Sequence, residues 1–377
     1  MTDNAFSNLV PDYIRNSPTY VPGKPIEEVA RETGLDPAGI VKLASNENPL
    51  GMSDAVKAAI IDALAEGARY PDGHGYALRQ ALIRTLGVTA DQIVLGNGSS
   101  DLIAMVAATF LTPATSVVCS QYSFSAYFSS SRVQGATMIP VPARDFGHDP
   151  EAMLAAIRPD TRVMFIANPN NPTGTRLETA VLEDLIARVP SDVIVVLDEA
   201  YREYQPAAEV PDSIAWVARY PNLIVFRTLS KAYGLAGLRV GFAIASPAVA
   251  DLVNRVRQTF NVNLFAQAAA VAALDDADYL RRTHDLNLAG LAQLYAGLEA
   301  LGIAYVPSAA NFVMAEVIEG AAVYRGLIAR GVIVRPLKPN YDLPRFLRIS
   351  VGTAEENARL IEALGEVLME IRLTAPA

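Results

Sequence analysis

A lysine that follows an apolar run is the first residue in this sequence whose type and position suggest chemistry. Lys231 comes shortly after residues 223–226, Leu-Ile-Val-Phe. Burying an ammonium group is costly unless the amine is neutral or covalently used, and a desolvated lysine readily forms a Schiff base. Taken alone, such a lysine is more often a surface turn residue. Thr228, Ser230 and Arg239 favour the functional interpretation, because two hydroxyls and a guanidinium suit a phosphate group.

Polar side chains also follow two other apolar runs. Asp198 comes directly after residues 193–197, where a carboxylate could keep the pyridine nitrogen of a cofactor protonated. Tyr201 could donate a hydrogen bond to a hydroxyl of the same ring. The turn at 168–174, Asn-Pro-Asn-Asn-Pro-Thr-Gly, follows residues 163–167 and could fix one asparagine toward the ring. The alternatives are a helix cap at the aspartate and a plain turn.

A glycine-rich segment precedes a predicted helix. Residues 96–101 read Gly-Asn-Gly-Ser-Ser-Asp, and the helix is predicted over 102–110. Backbone N–H groups at the start of a helix form a natural phosphate site. The segment matches neither the dinucleotide glycine motif nor a P-loop. Serine or aspartate capping without a ligand is the alternative interpretation.

The elements that must position these residues are short apolar strands alternating with helical patterns. Strands that are apolar on both faces indicate an α/β fold with a mostly parallel sheet covered by helices. Ligands of such sheets bind beyond the carboxyl ends of the strands, where the polar residues above lie. Later strand-like runs predict a second, α+β domain. We therefore expect an N-terminal arm at 1–35, a large domain at 36–264 and a small domain at 265–377.

Composition limits the classes of function. The chain has 377 residues, 51% of them hydrophobic and 19% charged, with a net charge of -9. This is a globular composition, and the negative charge argues against nucleic acid or an anionic membrane as partner. The single cysteine, Cys119, excludes an intrachain disulfide and suits the cytoplasm, and the N-terminus shows no signal-peptide pattern. Metal catalysis is not expected, because the histidines lack ligand spacing: His74, His148 and His284.

Together these motifs resemble the fold-type-I aminotransferases that use pyridoxal 5'-phosphate (PLP), in particular the histidinol-phosphate aminotransferase family. The similarity extends over nearly the whole chain and includes four further stretches: Tyr-Val-Pro-Gly-Lys-Pro at 20–25, Ala-Ser-Asn-Glu-Asn-Pro at 44–49, Arg-Tyr-Pro-Asp-Gly at 69–73 and Leu-Arg-Ile-Ser-Val-Gly-Thr at 347–353. It implies the PLP-transferase fold of type I, with a large domain built on a helix-covered, mostly parallel sheet and a smaller α+β C-terminal domain.

The resemblance also implies roles for the matching residues. Lys231 would carry PLP as a Schiff base and, once released, would move the proton in the reaction. Asp198 would hold the pyridine nitrogen, and Tyr201 and Asn171 would bind the ring oxygen. Phe124 would stack on the ring. The phosphate would be held by Ser99, Ser100, Ser230 and Arg239, with Thr228 close by.

Two further implications concern the second subunit and the substrate. Tyr70 would reach the phosphate from the other subunit of a homodimer. Arg348 would bind the carboxylate or phosphate of the substrate, and Arg335 and Tyr20 would line the same pocket. The sequence departs from the family pattern at three places: Ser99-Ser100-Asp101 replaces a common acidic pair, Gln121 a common proline, and Thr19 the proline before the tyrosine.

The expected reaction is transamination of L-histidinol phosphate with 2-oxoglutarate. An aromatic amino acid, phenylalanine or tyrosine, is the leading alternative donor, because the same arginine can take a carboxylate. A PLP-dependent decarboxylase acting on an amino-acid phosphate is a further alternative. A non-catalytic module attached to a DNA-binding domain is disfavoured, because only about forty residues precede the first fold motif and the net charge is negative.

Overall fold

The computed structural model describes residues 6–19 and 23–374. Tyr20, one of the predicted substrate-binding residues, lies outside them. The strands are β1 Val41–Lys42, β2 Ile93–Gly96, β3 Ser116–Ser120, β4 Thr137–Val141, β5 Thr161–Ala167, β6 Ile194–Asp198, β7 Leu223–Thr228, β8 Gly241–Ala245, β9 Ala304–Val306, β10 Phe312–Glu316, β11 Val332–Ile333, β12 Arg335–Leu337 and β13 Leu343–Ser350.

The helices of the described residues lie between and around these strands. They are α1 Asp12–Arg15, α2 Ile26–Thr33, α3 Asp54–Ala63, α4 Tyr76–Leu86, α5 Ser99–Phe110, α6 Ser125–Arg132, α7 Pro150–Ala155, α8 Thr179–Arg188, α9 Ser213–Arg219, α10 Pro247–Arg255, α11 Leu264–Leu274, α12 Ala277–Ala300, α13 Gly320–Ala329, α14 Lys338–Tyr341 and α15 Ala354–Thr374. No helix within 6–19 and 23–374 combines the length and apolarity needed to cross a membrane.

A seven-stranded sheet forms the centre of the large unit, in the order β2-β8-β7-β6-β5-β3-β4. All of its strands run parallel except β8, which is antiparallel to both of its neighbours. Successive residues of β5 pack into different cores: Val163 and Phe165 on one face, Met164 and Ile166 on the other. Burial of both faces explains why the central strands are apolar throughout. The predicted α/β class with a mostly parallel sheet is confirmed.

A second, four-stranded antiparallel sheet has the order β12-β13-β10-β9. Helices α12, α13 and α15 pack on it around a separate apolar core. The predicted smaller α+β unit toward the C-terminus is therefore present. Strand β1, from an early part of the chain, pairs in parallel with β11 and so connects residues 41–42 to this unit.

The packing of two segments differs from the predicted domain ranges 36–264 and 265–377, which stay a proposal. Val41 and Leu43 contribute to the core of the small sheet. Helix α11, in contrast, packs on α3 and α4, and its alanines join the core of the large sheet. We propose that the chain passes between the two units twice, near residues 45 and 275. A segment before residue 45 would then belong to the small unit, and helix α11 would belong to the large unit.

Candidate active site

A cavity of about 490 Å³ lies at the carboxyl ends of the parallel strands. Its wall combines residues from both sheets. Nine of the residues predicted from the sequence line it: Ser99, Ser100, Phe124, Asn171, Asp198, Tyr201, Lys231, Arg335 and Arg348. The parallel arrangement of β5, β6 and β7 explains this convergence, since the loops that follow them leave the sheet at one edge.

Lys231 lies in the loop after β7 and faces the cavity. Its Nζ donates a hydrogen bond to the backbone oxygen of Ser45 at 3.2 Å and lies 5.9 Å from the ring centre of Tyr201. The pKa of Lys231 is lowered to about 8, chiefly by burial and also by the positive charges of Arg348 and Arg239, while the carboxylates of Glu47 and Asp198 oppose the decrease. Near neutral pH a useful fraction of the amine is therefore neutral and nucleophilic.

Asp198 ends β6 and is 4% exposed. One carboxylate oxygen accepts the backbone N–H of Ala200 at 3.1 Å, and the other accepts the hydroxyl of Tyr127 at 2.7 Å. Burial raises the pKa of Asp198 to about 6, while these two hydrogen bonds oppose the increase. The carboxylate therefore stays largely charged at neutral pH although it is buried.

Tyr127, which donates this hydrogen bond to Asp198, is not among the residues predicted from the sequence. It lies on α6, is fully buried, and stacks on Phe165 with ring centres 4.4 Å apart. Its ring also meets Phe124 edge to face at 5.8 Å. Only its position three residues after Phe124 could have indicated that it belongs to the site.

Tyr201 is the centre of a hydrogen-bond network. Its hydroxyl oxygen accepts the side-chain amide of Asn46 at 2.9 Å and that of Asn171 at 3.3 Å. Arg348 in turn donates to the side-chain oxygen of Asn171 and to the backbone oxygen of Ala44, both at 2.7 Å. Burial raises the pKa of Tyr201 to about 12, so the phenol keeps its proton and can act as a donor. Asn46, also absent from the predicted set, lines the cavity as well.

The start of α5 and the loop before β8 meet at one corner of the cavity. Gly98 has φ +80°, and a Cβ atom there would lie 2.4 Å from the guanidinium of Arg239, so only glycine allows this approach. Arg239 donates to the hydroxyl of Ser230 at 3.3 Å and to the backbone of Ala236 at 3.0 Å. The first N–H groups of α5 have no acceptor within their helix, which makes this corner suitable for a phosphate.

Thr228 lies behind this corner rather than in the cavity wall. Its hydroxyl accepts the backbone N–H of Ser230 at 3.2 Å and donates to the backbone oxygen of Val240 at 3.4 Å. These contacts connect β7 to the loop that carries Lys231. Its predicted position close to the phosphate stays a prediction, and its hydrogen bond joins it to Ser230, another of the predicted phosphate-binding residues.

Arg335 and Arg348 are paired directly across strands β12 and β13. Side chains at paired positions of an antiparallel ladder lie on the same face, and two like charges there repel each other. Both side chains line the cavity. An anionic group bound between them would relieve the repulsion.

Tyr70 lies away from the cavity of its own chain. Its side chain is 83% exposed, and its ring stacks on Phe260 with centres 4.8 Å apart. Tyr70 is not among the residues that line the cavity of its own chain. Its predicted contact with the phosphate would have to be made in a neighbouring subunit.

Comparison with known proteins identifies the class. A family model described as aminotransferase class I and II matches residues 38–364. A crystal structure of histidinol-phosphate aminotransferase from Sinorhizobium meliloti in complex with pyridoxal-5'-phosphate has a similar fold. Its TM-score is 0.88 at 29% sequence identity, covering 96% of this chain and 97% of that one. The chain belongs to this aminotransferase class, and it shares the fold of the Sinorhizobium enzyme.

Individual relatives identify the family within this class. Histidinol-phosphate aminotransferase from Methylobacillus flagellatus is 55% identical, over 96% of this chain and 98% of its own. Histidinol-phosphate aminotransferase 1 from Thiobacillus denitrificans is 57% identical, over 97% and 95%. The chain belongs to the histidinol-phosphate aminotransferase family.

Replacing Tyr127 by phenylalanine tests the contact with Asp198. We expect Tyr127→Phe to raise the pKa of Asp198 above its value of about 6, because the lost hydrogen bond favours the charged carboxylate. Such bonds to charged groups contribute about 1.5–3 kcal/mol, so Asp198 should become a roughly tenfold weaker acid. The measurement is the pH dependence of the carboxyl infrared band in the apo protein, taken as a difference against Asp198→Asn.

Tyr305→Phe provides the matched control. The phenol of Tyr305 also donates to a carboxylate, that of Glu299 at 2.6 Å, but on an exposed surface of the small unit. This variant should leave the titration of Asp198 unchanged. An unaltered pKa in Tyr127→Phe would contradict the assignment of Tyr127 as the group that keeps Asp198 charged.

Proposed function

We propose that this chain transfers the amino group of L-histidinol phosphate to 2-oxoglutarate with PLP as its bound cofactor. The observation that carries the choice of substrate is the pair Arg335 and Arg348, which line the cavity side by side together with Lys231. Histidinol phosphate has a phosphate ester and no α-carboxylate, so both guanidiniums would bind the phosphate. The names of the close relatives support the same donor.

The polar groups of the cavity fit those of PLP. The N-terminus of α5 with Ser99, Ser100, Ser230 and Arg239 would hold the phosphate. Asp198 would face the pyridine nitrogen, Tyr201 and Asn171 the ring oxygen, and Phe124 one face of the ring. Lys231, with its lowered pKa, would bond covalently to the aldehyde carbon.

Bound PLP withdraws electrons from the substrate carbon that bears the nitrogen, which allows that carbon to lose a proton. Asp198 supports this by remaining negative beside the ring nitrogen. Once free of the cofactor, Nζ of Lys231 would accept the proton from the substrate carbon and return it to the carbon on the other side of the nitrogen. Its pKa of about 8 suits both steps, since a general base works best near the ambient pH.

We further propose a homodimer in which Tyr70 contacts the phosphate site of the partner. The support is the exposed position of Tyr70, its stacking on the exposed ring of Phe260, and three further exposed apolar side chains close to it in the sequence, which are Ile61, Leu64 and Tyr76. Such a patch is typical of a protein–protein interface. A cytoplasmic location is proposed as well, supported by the single, buried and unpaired cysteine.

A comparison of amino donors tests the proposed reaction. We expect the wild-type kcat/KM for histidinol phosphate to exceed those for phenylalanine and tyrosine by at least about 100-fold, because only the phosphate engages two guanidiniums. Arg335→Gln should lower kcat/KM for histidinol phosphate by about 10- to 100-fold and leave that for histidinol nearly unchanged. Histidinol, which lacks the phosphate, is the matched control substrate.

Two outcomes of this comparison would overturn the proposal. Equal or better use of phenylalanine or tyrosine would make the protein an aromatic aminotransferase. Release of carbon dioxide from an amino-acid phosphate would make it a decarboxylase.

The uptake of PLP by the apo protein should depend on pH in a defined way. Only the neutral amine attacks an aldehyde, and the neutral fraction of Lys231 rises as the pH approaches its pKa of about 8. The rate of covalent capture should therefore rise about tenfold per pH unit below 8 and level off above it, whereas an ordinary lysine would continue to gain until about pH 10.4. Mass spectrometry after borohydride reduction measures the capture.

Lys231→Ala is the control for this experiment and should show no covalent capture while keeping its fold. It should also lose more than about 10³-fold in kcat, as expected for removal of a general acid–base and nucleophile. A capture rate that continues to rise through pH 10 would show that the cavity does not lower the pKa of the amine.

Hybrid dimers test the crossing of Tyr70. Tyr70→Ala and Lys231→Ala should each be nearly inactive as homodimers. If Tyr70 serves the partner's site, mixed dimers contain one complete site, and random exchange should restore about a quarter of the wild-type activity. If no activity returns although mass spectrometry shows mixed dimers, Tyr70 does not act across the interface.

A further inference from the structure

Three consecutive residues contact three different residues of the proposed site. The backbone oxygen of Ala44 accepts from Arg348, that of Ser45 accepts from Lys231, and the side-chain amide of Asn46 donates to Tyr201. The segment 44–46 thus touches the proposed substrate-binding arginine, the reactive lysine and the ring-oxygen tyrosine. No role was assigned to it from the sequence.

Asn46 adopts a backbone conformation that non-glycine residues rarely occupy. Its φ is +54° and its side chain is 1% exposed. Asparagine tolerates the left-handed region better than most residues, but such a conformation persists only where the surroundings enforce it. An enforced, buried, left-handed residue in the wall of an active-site cavity indicates a functional constraint.

Ser350, the last residue of β13, and Asn311, directly before β10, hold Asn46 in this conformation. The backbone N–H of Asn46 donates to the hydroxyl of Ser350 at 2.8 Å, and that hydroxyl donates back to the side-chain oxygen of Asn46 at 3.0 Å. The side chain of Asn311 donates to the backbone oxygen of Asn46 at 3.1 Å. The side-chain oxygen of Asn46 is therefore occupied by Ser350, and its amide nitrogen is left to face Tyr201.

The hydroxyl oxygen of Tyr201 receives a second donor whose orientation is also fixed. Arg348 can only donate, so the side-chain oxygen of Asn171 faces Arg348 and its nitrogen faces Tyr201. With amide groups of Asn46 and Asn171 both donating to it, the phenol oxygen has used its two lone pairs. Its own hydrogen is the only group that it can offer to a ligand.

We propose that Asn46 is a positioning residue that holds the hydroxyl of Tyr201 as a hydrogen-bond donor toward the ring oxygen of PLP. The inference rests on the proposed function and adds to it a residue that acts through Tyr201. Ser350 holds Asn46 in place, so the small sheet takes part in setting the direction of a hydrogen bond at the cofactor. Asn46 itself would make no bond to the reacting atoms.

The experiment measures the pKa of the linkage between PLP and Lys231, from its visible absorption as a function of pH. A donor at the ring oxygen stabilises negative charge there and keeps this pKa low. Asn46→Asp replaces the amide donor by an acceptor of the same shape, so the hydroxyl of Tyr201 should turn to the new carboxylate. We expect the acid dissociation constant of the linkage to fall about tenfold, as in Tyr201→Phe.

The double variant separates positioning from any direct effect of the added charge. In the Tyr201→Phe background, Asn46→Asp should cause no further change, because the hydroxyl through which it acts is absent. Asn46→Gly is the second variant, since glycine accepts the positive φ without strain. It should fold normally and cause a smaller change in the same direction, which Tyr201→Phe should again abolish.

Each contrary outcome has a separate meaning. If both Asn46 variants leave the linkage pKa unchanged, or change it equally with and without the hydroxyl of Tyr201, the positioning role is wrong while the proposed function stands. If the wild-type protein shows no visible band with PLP, the proposed function fails and this inference fails with it. Loss of kcat with an unchanged KM for histidinol phosphate is expected beside the spectroscopic change.

Discussion

The burial of a lysine amine among arginines is the constraint on which this site depends. Lys231 lies near Arg348 and Arg239, and burial together with these charges lowers its pKa to about 8. The cations that would bind anionic ligands thereby also keep the amine partly neutral, which is the form that reacts. In the proposed site, the same residues would hold anions and activate an amine.

The antiparallel direction of strand β8 brings the residues of the proposed phosphate site together. Because β8 is antiparallel to β7 and β2, it begins at the edge where those strands end, and Gly241 pairs with both Thr228 and Gly96. The loop before β8 carries Arg239, so its guanidinium reaches Gly98 at the start of α5. A seventh parallel strand would begin at the opposite edge of the sheet and would place this loop far from the cavity.

Sequence patterns predict the residues that follow apolar strands, because the end of such a strand can be recognised from a few consecutive residues. Lys231 and Asp198 belong to this group. Residues whose place in the site rests on a contact with a distant residue cannot be predicted in this way. The side chain of Asn46 is oriented by a hydrogen bond from Ser350, 304 positions later, and Tyr127 donates to Asp198, 71 positions later. Their contacts follow from how the elements pack, and no local spacing encodes them.

Burial moves the pKa values of Asp198 and Lys231 toward each other, to about 6 and about 8. The pKa of Asp198 stays below neutral pH, so its carboxylate is mostly negative there, and the lowered pKa of Lys231 leaves part of its amine neutral. If the pKa of Asp198 rose above the ambient pH, the carboxylate would bind a proton and lose its charge. The hydrogen bond from Tyr127 opposes that rise, so a buried phenol in the cavity wall helps to keep Asp198 negative, as the proposed chemistry requires.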